Sequence, residues 1–229
     1  MVLGDVEAVV KWSRALNMVA NGAILLALGY VVIRPGGIAS GLLDARRQES
    51  KQRRVIHARW DSLVAAAALL QPATTNPRVT IIEFSDYQCV YCREQHQRFA
   101  SLLAQHPQVE LRLVHFPLPN HRLAGPAARA AWCAEQQGRL VAMHDRLFQT
   151  VPQWTDPVDW SAHAQAAGVD DLLRFQDCVE DPETRLRMEK ARQLGLDIGI
   201  QGTPAFVTRD GLHRGALSDS AFAALLADR

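Results

Sequence analysis

Two cysteines stand three apart in the segment Cys89-Val90-Tyr91-Cys92. Dithiol exchange needs one sulfur that is accessible and easily ionised, and a second close enough to close a disulfide with it. A pair three apart at the start of a helix meets both demands. The unpaired N–H groups of the first turn carry partial positive charge and favour a thiolate on the first sulfur. The second sulfur lies one turn along. The spacing therefore makes Cys89 the attacking, substrate-facing sulfur and Cys92 its partner. Half of a zinc knuckle has the same spacing, but a four-thiolate zinc site needs two close pairs. The other two cysteines, Cys133 and Cys178, stand alone and far apart. No metal site and no cofactor are expected.

The surrounding residues predict the elements that hold this pair. Residues 79–84 (VTIIEF) form a short β-branched strand, and residues 109–116 (VELRLVHF) alternate like another. Residues 89–105 between them read as a helix, so the three make a βαβ unit with a parallel strand pair. Glu83 sits in the first strand, six residues before Cys89. A solvent-facing strand residue is the plainer account of it. Its neighbours Ile81, Ile82 and Phe84 are all apolar, however, as in a strand covered on both faces. A carboxyl there is desolvated, has a raised pKa, and can pass protons to or from Cys92. Thr203-Pro204 directly precedes the strand residues Ala205, Phe206 and Val207. A trans proline is tolerated at the first residue of a strand; a cis bond would turn the Thr203 backbone toward the sulfurs, and the residues alone leave the isomer open.

Residues 126–195 read as helices. Gly125-Pro126, Asp156-Pro157 and Asp181-Pro182 open them, and Gly138, Gly168 and Gly195 suit their ends. A hairpin around Arg209-Asp210-Gly211 follows, then a final helix capped by Ser218. His96, His115, His121 and His144 show no ligand spacing and read as ordinary residues. Trp132, Trp154 and Trp160 read as packing between helices.

The N-terminal part differs in character. Residues 17–33 (NMVANGAILLALGYVVI) carry no charge and reach the lower limit for spanning a bilayer, with Trp12 and Tyr30 placed as interfacial aromatics. A single-pass anchor is the reading adopted. A cleaved signal peptide is the alternative, with small residues near Gly37-Ile38-Ala39, and the long N-terminal region carrying Asp5 and Glu7 speaks against it. Counting positive charges alone puts the C-terminal side in the cytoplasm, since Arg34, Arg46, Arg47, Lys51, Arg53 and Arg54 follow the span. The dithiol chemistry argues for the outside. Residues 42–70 look helical, with Ile56, Trp60, Leu63, Val64 and Ala67 on one stripe. The net charge of +1 gives no support for nucleic-acid binding.

Three motifs in order carry a family resemblance: EFSDYQCVYC (residues 83–92), AWCAEQQG (131–138) with MHDRLF (143–148), and GTPAF (202–206). From residue 79 onward the chain resembles DsbA-like thiol–disulfide oxidoreductases of the thioredoxin superfamily. The resemblance implies an α/β, thioredoxin-like fold interrupted by a helical insertion over residues 120–197. It also implies Cys89 and Cys92 as the redox pair, Glu83 as the buried acid and Pro204 as a cis-proline opposite them. Thr203, Val90 and Tyr91 complete the expected substrate-binding surface. The family's inner dipeptide usually begins with proline, and strongly oxidising members have Pro-His; Val90-Tyr91 departs from that and suggests a milder couple. Similar proteins often carry a structural disulfide in the insertion, and Cys133 with Cys178 is expected to form one in an oxidising compartment.

The domain plan is then a tail over residues 1–16, an anchor over 17–34, a linker with an amphipathic helix over 35–78, and the thioredoxin-like domain over 79–229. The expected activity is oxidation of dithiols in extracytoplasmic proteins, served by a membrane-bound redox partner at the inner (cytoplasmic) membrane, with the catalytic domain facing the periplasm or cell exterior. The alternatives are the same fold working as a reductase or isomerase, and a non-catalytic chaperone-like binding module.

Overall fold

The computed structural model describes residues 37–73 and 79–227, and residues 12, 20, 21, 23, 24, 30 and 31 before them. The anchor expected over residues 17–33 lies largely outside the described residues. Among those described, no helix is long and apolar enough to cross a membrane. The chain divides into two compact units, Met1–Lys51 and Gln52–Arg229. In the first, helix α1 (Ile38–Ala66) begins; the Gly41 N–H bonds the Gly37 carbonyl at 3.0 Å.

In the second unit the apolar stripe of α1 is used: Ile56 and Leu63 are fully buried. Spacing alone carries this helix to residue 70, but it stops at Ala66, and Ala68–Gln71 forms strand β1. The break has a visible cause. Arg112 donates to the carbonyls of Val64 (3.4 Å), which also accepts from the Ala67 N–H, and Ala67 (3.3 Å), tying down the helix end. Pairing with β3 then satisfies the backbone beyond it.

The sheet contains β1, β2 (Val79–Ser85), β3 (Val109–His115), β4 (Ala205–Thr208) and β5 (Gly211–Arg214), in the order β1-β3-β2-β4-β5. Central β2 runs parallel to β3 and antiparallel to β4. Helix α2 (Val90–Ala104) makes the crossover from β2 to β3. Successive β2 side chains go to opposite faces. Ile82 and Phe84 pack with Ile56, Leu63 and Val114, while Val79 and Ile81 pack with Phe99, Leu103 and Phe206. Glu83 shares the face of Ile81, beneath α2. Both faces are covered, which is why β2 reads as an unbroken apolar run.

Five helices follow β3: α3 (Ala124–Glu135), α4 (Leu140–Thr150), α5 (Trp160–Ala166), α6 (Leu172–Glu180) and α7 (Pro182–Asp197). Asp159, Asp171 and Asp181 cap α5, α6 and α7 by accepting from the N–H groups of Ala162, Arg174 and Glu183. The helix expected to open at Asp156-Pro157 starts at Trp160 instead, because Asp159 supplies the cap, and the Asp156–Pro157 bond is cis. Pro126 is the third residue of α3, within its first turn, not its opening residue. Gly195 lies inside α7, not at its end. A Cβ there would sit 2.8 Å from the rings of Phe84 and Phe116, so glycine lets α7 close onto the sheet. A disulfide joins Cys133 on α3 to Cys178 on α6. Helix α8 (Asp219–Ala227) ends the fold, with the Ser218 hydroxyl accepting from the Ala221 N–H at 3.1 Å.

Candidate active site

The segment between β2 and α2 is tied down on two sides. Asp86 is buried and accepts from the N–H groups of Gln88 (2.7 Å) and Leu118 (2.8 Å) and from His121 Nδ1 (2.8 Å). Gln88 Oε1 accepts from the Leu123 N–H at 2.6 Å. This fixes Cys89 at the N-cap of α2, in an extended conformation with φ −76° and ψ 119°. Its carbonyl starts the helix by accepting from Arg93 N–H at 3.1 Å.

Cys89 and Cys92 both carry free thiols. Cys89 Sγ donates to the Thr203 carbonyl at 3.3 Å, and the Thr203–Pro204 bond is cis. The Cys92 thiol, the Thr203 side chain and the N–H groups of Cys92 and Tyr91 lie close enough to Cys89 Sγ to favour a thiolate there. Against the opposing effect of burial, these bring the Cys89 pKa down to about 6. The Thr203 hydroxyl is buried and has no hydrogen-bonding partner, which leaves it free to donate to a thiolate at Cys89. Cys92 moves the other way. It is 0% exposed, and burial, its bond to Cys89 and the charge on Glu83 hold its pKa well above the ordinary thiol range. The negative charge of the pair therefore resides on Cys89.

Glu83 is 1% exposed. Burial, and the nearby Cys89 charge in smaller part, raise its pKa to about 7. The Ser85 hydroxyl offsets a little of this, although neither Ser85 Oγ nor Glu83 Oε1 has a hydrogen-bonding partner. The fold thus brings Glu83, Cys89, Cys92, Thr203 and Pro204 together. Val90 and Tyr91 stay at the surface, 54% and 64% exposed. Beside Cys89 lies an open depression of about 240 Å³ lined by Gln88, Val90, Arg93, Val151 and Pro152. Cys133 and Cys178 stand apart from this group, within the insertion.

The fold also assembles a group that spacing did not mark. The Tyr87 hydroxyl and His144 Nδ1 are 3.0 Å apart and buried. Tyr87 also packs near His115, and the rings of His96 and His144 meet edge to face at 4.8 Å. His96 Nε2 lies 3.2 Å from Asp145 Oδ1. These residues come from four separate segments, so no local motif could have shown them. Among the described residues, no cluster of His, Cys, Asp and Glu could hold a metal ion.

The Thioredoxin family model matches residues 74–228, more than half of the chain. The sodium/proton antiporter NhaA 3 of Salinispora tropica is 29% identical over 147 residues. That match takes in 64% of this chain and 22% of the antiporter, so the chain spans less than a quarter of that relative's length. A thioredoxin-like oxidoreductase from Silicibacter pomeroyi is 28% identical, with a TM-score of 0.60 over 72% of this chain and 94% of that one. The thiol–disulfide exchange protein alpha-DsbA2 from Wolbachia pipientis shares the fold at 18% identity, with a TM-score of 0.67 over 79% of this chain and 96% of its own.

Proposed function

This chain belongs to the thioredoxin family, and we propose that it is a DsbA-like thiol–disulfide oxidoreductase that oxidises dithiols of extracytoplasmic proteins through a Cys89–Cys92 disulfide. The observation that carries the direction is the unequal stabilisation of the two sulfurs, with Cys89 brought down to about pKa 6 and Cys92 pushed up. A substrate thiolate attacks Cys89 Sγ, and the Cys89–Cys92 bond breaks. The Cys92 thiolate takes the proton of the Glu83 carboxyl. A second substrate thiolate then attacks the substrate sulfur of the mixed disulfide and expels Cys89 as a thiolate. Expulsion is fast because that thiolate is stabilised, and a couple with a stabilised reduced form is an oxidising one.

Glu83 is the proton donor in this reading. Thr203 and Pro204 face the substrate beside Cys89, with Val90 and Tyr91 on the exposed rim. Val90-Tyr91 supplies no imidazole to share the thiolate charge, which argues for a milder couple than a Pro-His pair gives. The Cys133–Cys178 disulfide is a structural bond of the kind oxidising compartments retain. It supports a place outside the cytoplasm, in the periplasm or at the cell exterior. We assign residues 17–33 as the anchor to the inner membrane, where a membrane-bound redox partner would reoxidise the dithiol.

The test is the reduction potential of Cys89–Cys92 in the full chain, by equilibration with glutathione buffers. A value toward about −120 mV is expected. A value near about −270 mV would reverse the direction and make the protein a reductant.

A further inference from the structure

Each oxidation in this scheme leaves Glu83 without its proton, in a place where the carboxylate is 1% exposed. A cavity of about 470 Å³ lies against it. Glu83, Phe99 and Leu111 line its inner part; the exposed Ala100 and Val141 lie at its mouth, and His96, His144 and Asp145 also line it. A water molecule occupies about 30 Å³ of liquid, so the space holds several. Glu83 Oε1 has no partner in the protein. A buried, unpartnered oxygen against a roomy cavity with polar walls is where ordered water is held.

Two imidazoles line this space, and they are not equivalent. His144 is buried, its Nδ1 is taken up with the Tyr87 hydroxyl, and burial together with His96 and His115 holds its pKa well down. The His96 side chain is 22% exposed and meets the 47%-exposed Asp145 carboxylate at 3.2 Å. It thus touches both the cavity and bulk solvent. Burial lowers the His96 pKa as well, with the Asp145 charge acting in the opposite direction.

We infer that the cavity is a water-filled proton-exchange route between Glu83 and bulk solvent, and that His96, oriented by Asp145, is its surface terminus. The inference rests on the reading of Glu83 as the proton donor to Cys92. After Cys92 is protonated, a cavity water gives a proton to the Glu83 carboxylate. The His96 imidazolium restores that water, and bulk solvent reprotonates His96. The net transfer is one proton from solvent to Cys92, with no electrons moved. Glu83 is faced by Cys89 and Cys92 from α2 and by Tyr87 from the preceding loop; His96 is faced by Asp145 and His144 from α4. No lysine or arginine lines the cavity.

The experiment follows turnover of the full chain with a dithiol peptide, and glutathione disulfide as the oxidant that restores Cys89–Cys92, at pH 7 in weak buffer. His96→Gln is expected to slow turnover about a hundredfold, the low end of what one proton-transfer group contributes, at the parent's reduction potential. Added imidazole should restore the rate in proportion to its concentration. Ala100→Phe, which plugs the mouth without removing a polar group, should slow turnover without rescue by imidazole. If His96→Gln turns over at the parent rate, or is slow but indifferent to imidazole, the inference is overturned. Glu83→Gln separates the two levels. A slow Glu83→Gln beside a fast His96→Gln removes only the route, whereas a fast Glu83→Gln removes the Glu83 role itself.

Discussion

At the scale of single residues, Glu83 is held where ionisation is disfavoured, and this has a measurable cost. In the folded chain it keeps its proton up to about pH 7, whereas the ordinary value is 4.5. Between those values the folded state binds the extra proton, so stability falls as pH rises through the interval and levels off above it. The interval corresponds to about 3 kcal/mol. Replacement by glutamine removes the ionisation but leaves a buried amide, whose cost does not vary with pH. The stability of Glu83→Gln relative to the parent, measured on the reduced protein by urea unfolding, should therefore improve by about 3 kcal/mol between pH 4.5 and pH 8. A difference that stays constant over that range would sink the burial account. Glu83 was legible in the sequence because it is a charge in an otherwise apolar strand. Asp86 was not, because two of its three partners, Leu118 and His121, lie more than thirty residues on. The same holds for His96, His115 and His144, which spacing presents as unrelated and which only the packing of α2, β3 and α4 brings side by side.

At the scale of elements, α7 shows which of two opposing effects governs a helix. Alanine is the better helix former by about 1 kcal/mol, so Gly195→Ala would stabilise an isolated α7. In the fold its Cβ meets two aromatic rings at 2.8 Å, and both belong to the core. Overpacking there costs about 1–3 kcal/mol. The expected net result is a lower urea midpoint at unchanged slope, and a variant as stable as the parent would show that the rings yield freely. From sequence this glycine reads as a helix end, since the close approach of α7 to the sheet leaves no local sign. The strand–helix–strand unit around Cys89 was legible within one or two residues, because alternation and the apolar run are local. Strand β1 was not: Ala68 and Leu70 continue the stripe of α1, and the chain turns there because Arg112 ties down the helix end while β3 offers an edge.

At the scale of the whole molecule, the bond between Cys133 and Cys178 spans 45 residues and cross-links two helices of the insertion. Closing a loop of that length removes unfolded-state entropy worth about 4 kcal/mol in the chain-entropy model. The double variant Cys133→Ser, Cys178→Ser should lose about that much stability in urea, with Cys89 and Cys92 kept reduced in both proteins. Its Cys89 pKa, read by the pH dependence of alkylation, should stay near the parent's, because none of the groups that set it lie on the insertion. A shifted alkylation profile would mean that the insertion braces the sulfur pair. The family resemblance made this bridge an expectation, while its placement between α3 and α6 came only with the fold.

The stacking of an ionised Cys89 over a protonated, fully buried Cys92 also decides what hydrogen peroxide does to this protein. Peroxide converts the Cys89 thiolate to a sulfenic acid, and the Cys92 thiol lies in reach to condense with it, expelling water. The product is the Cys89–Cys92 disulfide itself, which under the proposed oxidase function is the form that acts on substrate. Without the second thiol the sulfenic acid has no such exit and continues to the sulfinic acid, which is not readily reversed. Mass spectrometry after peroxide treatment should find the disulfide in the parent and sulfinic acid in Cys92→Ser. Equal sulfinic acid in both would show that the buried thiol is too slow to protect its neighbour.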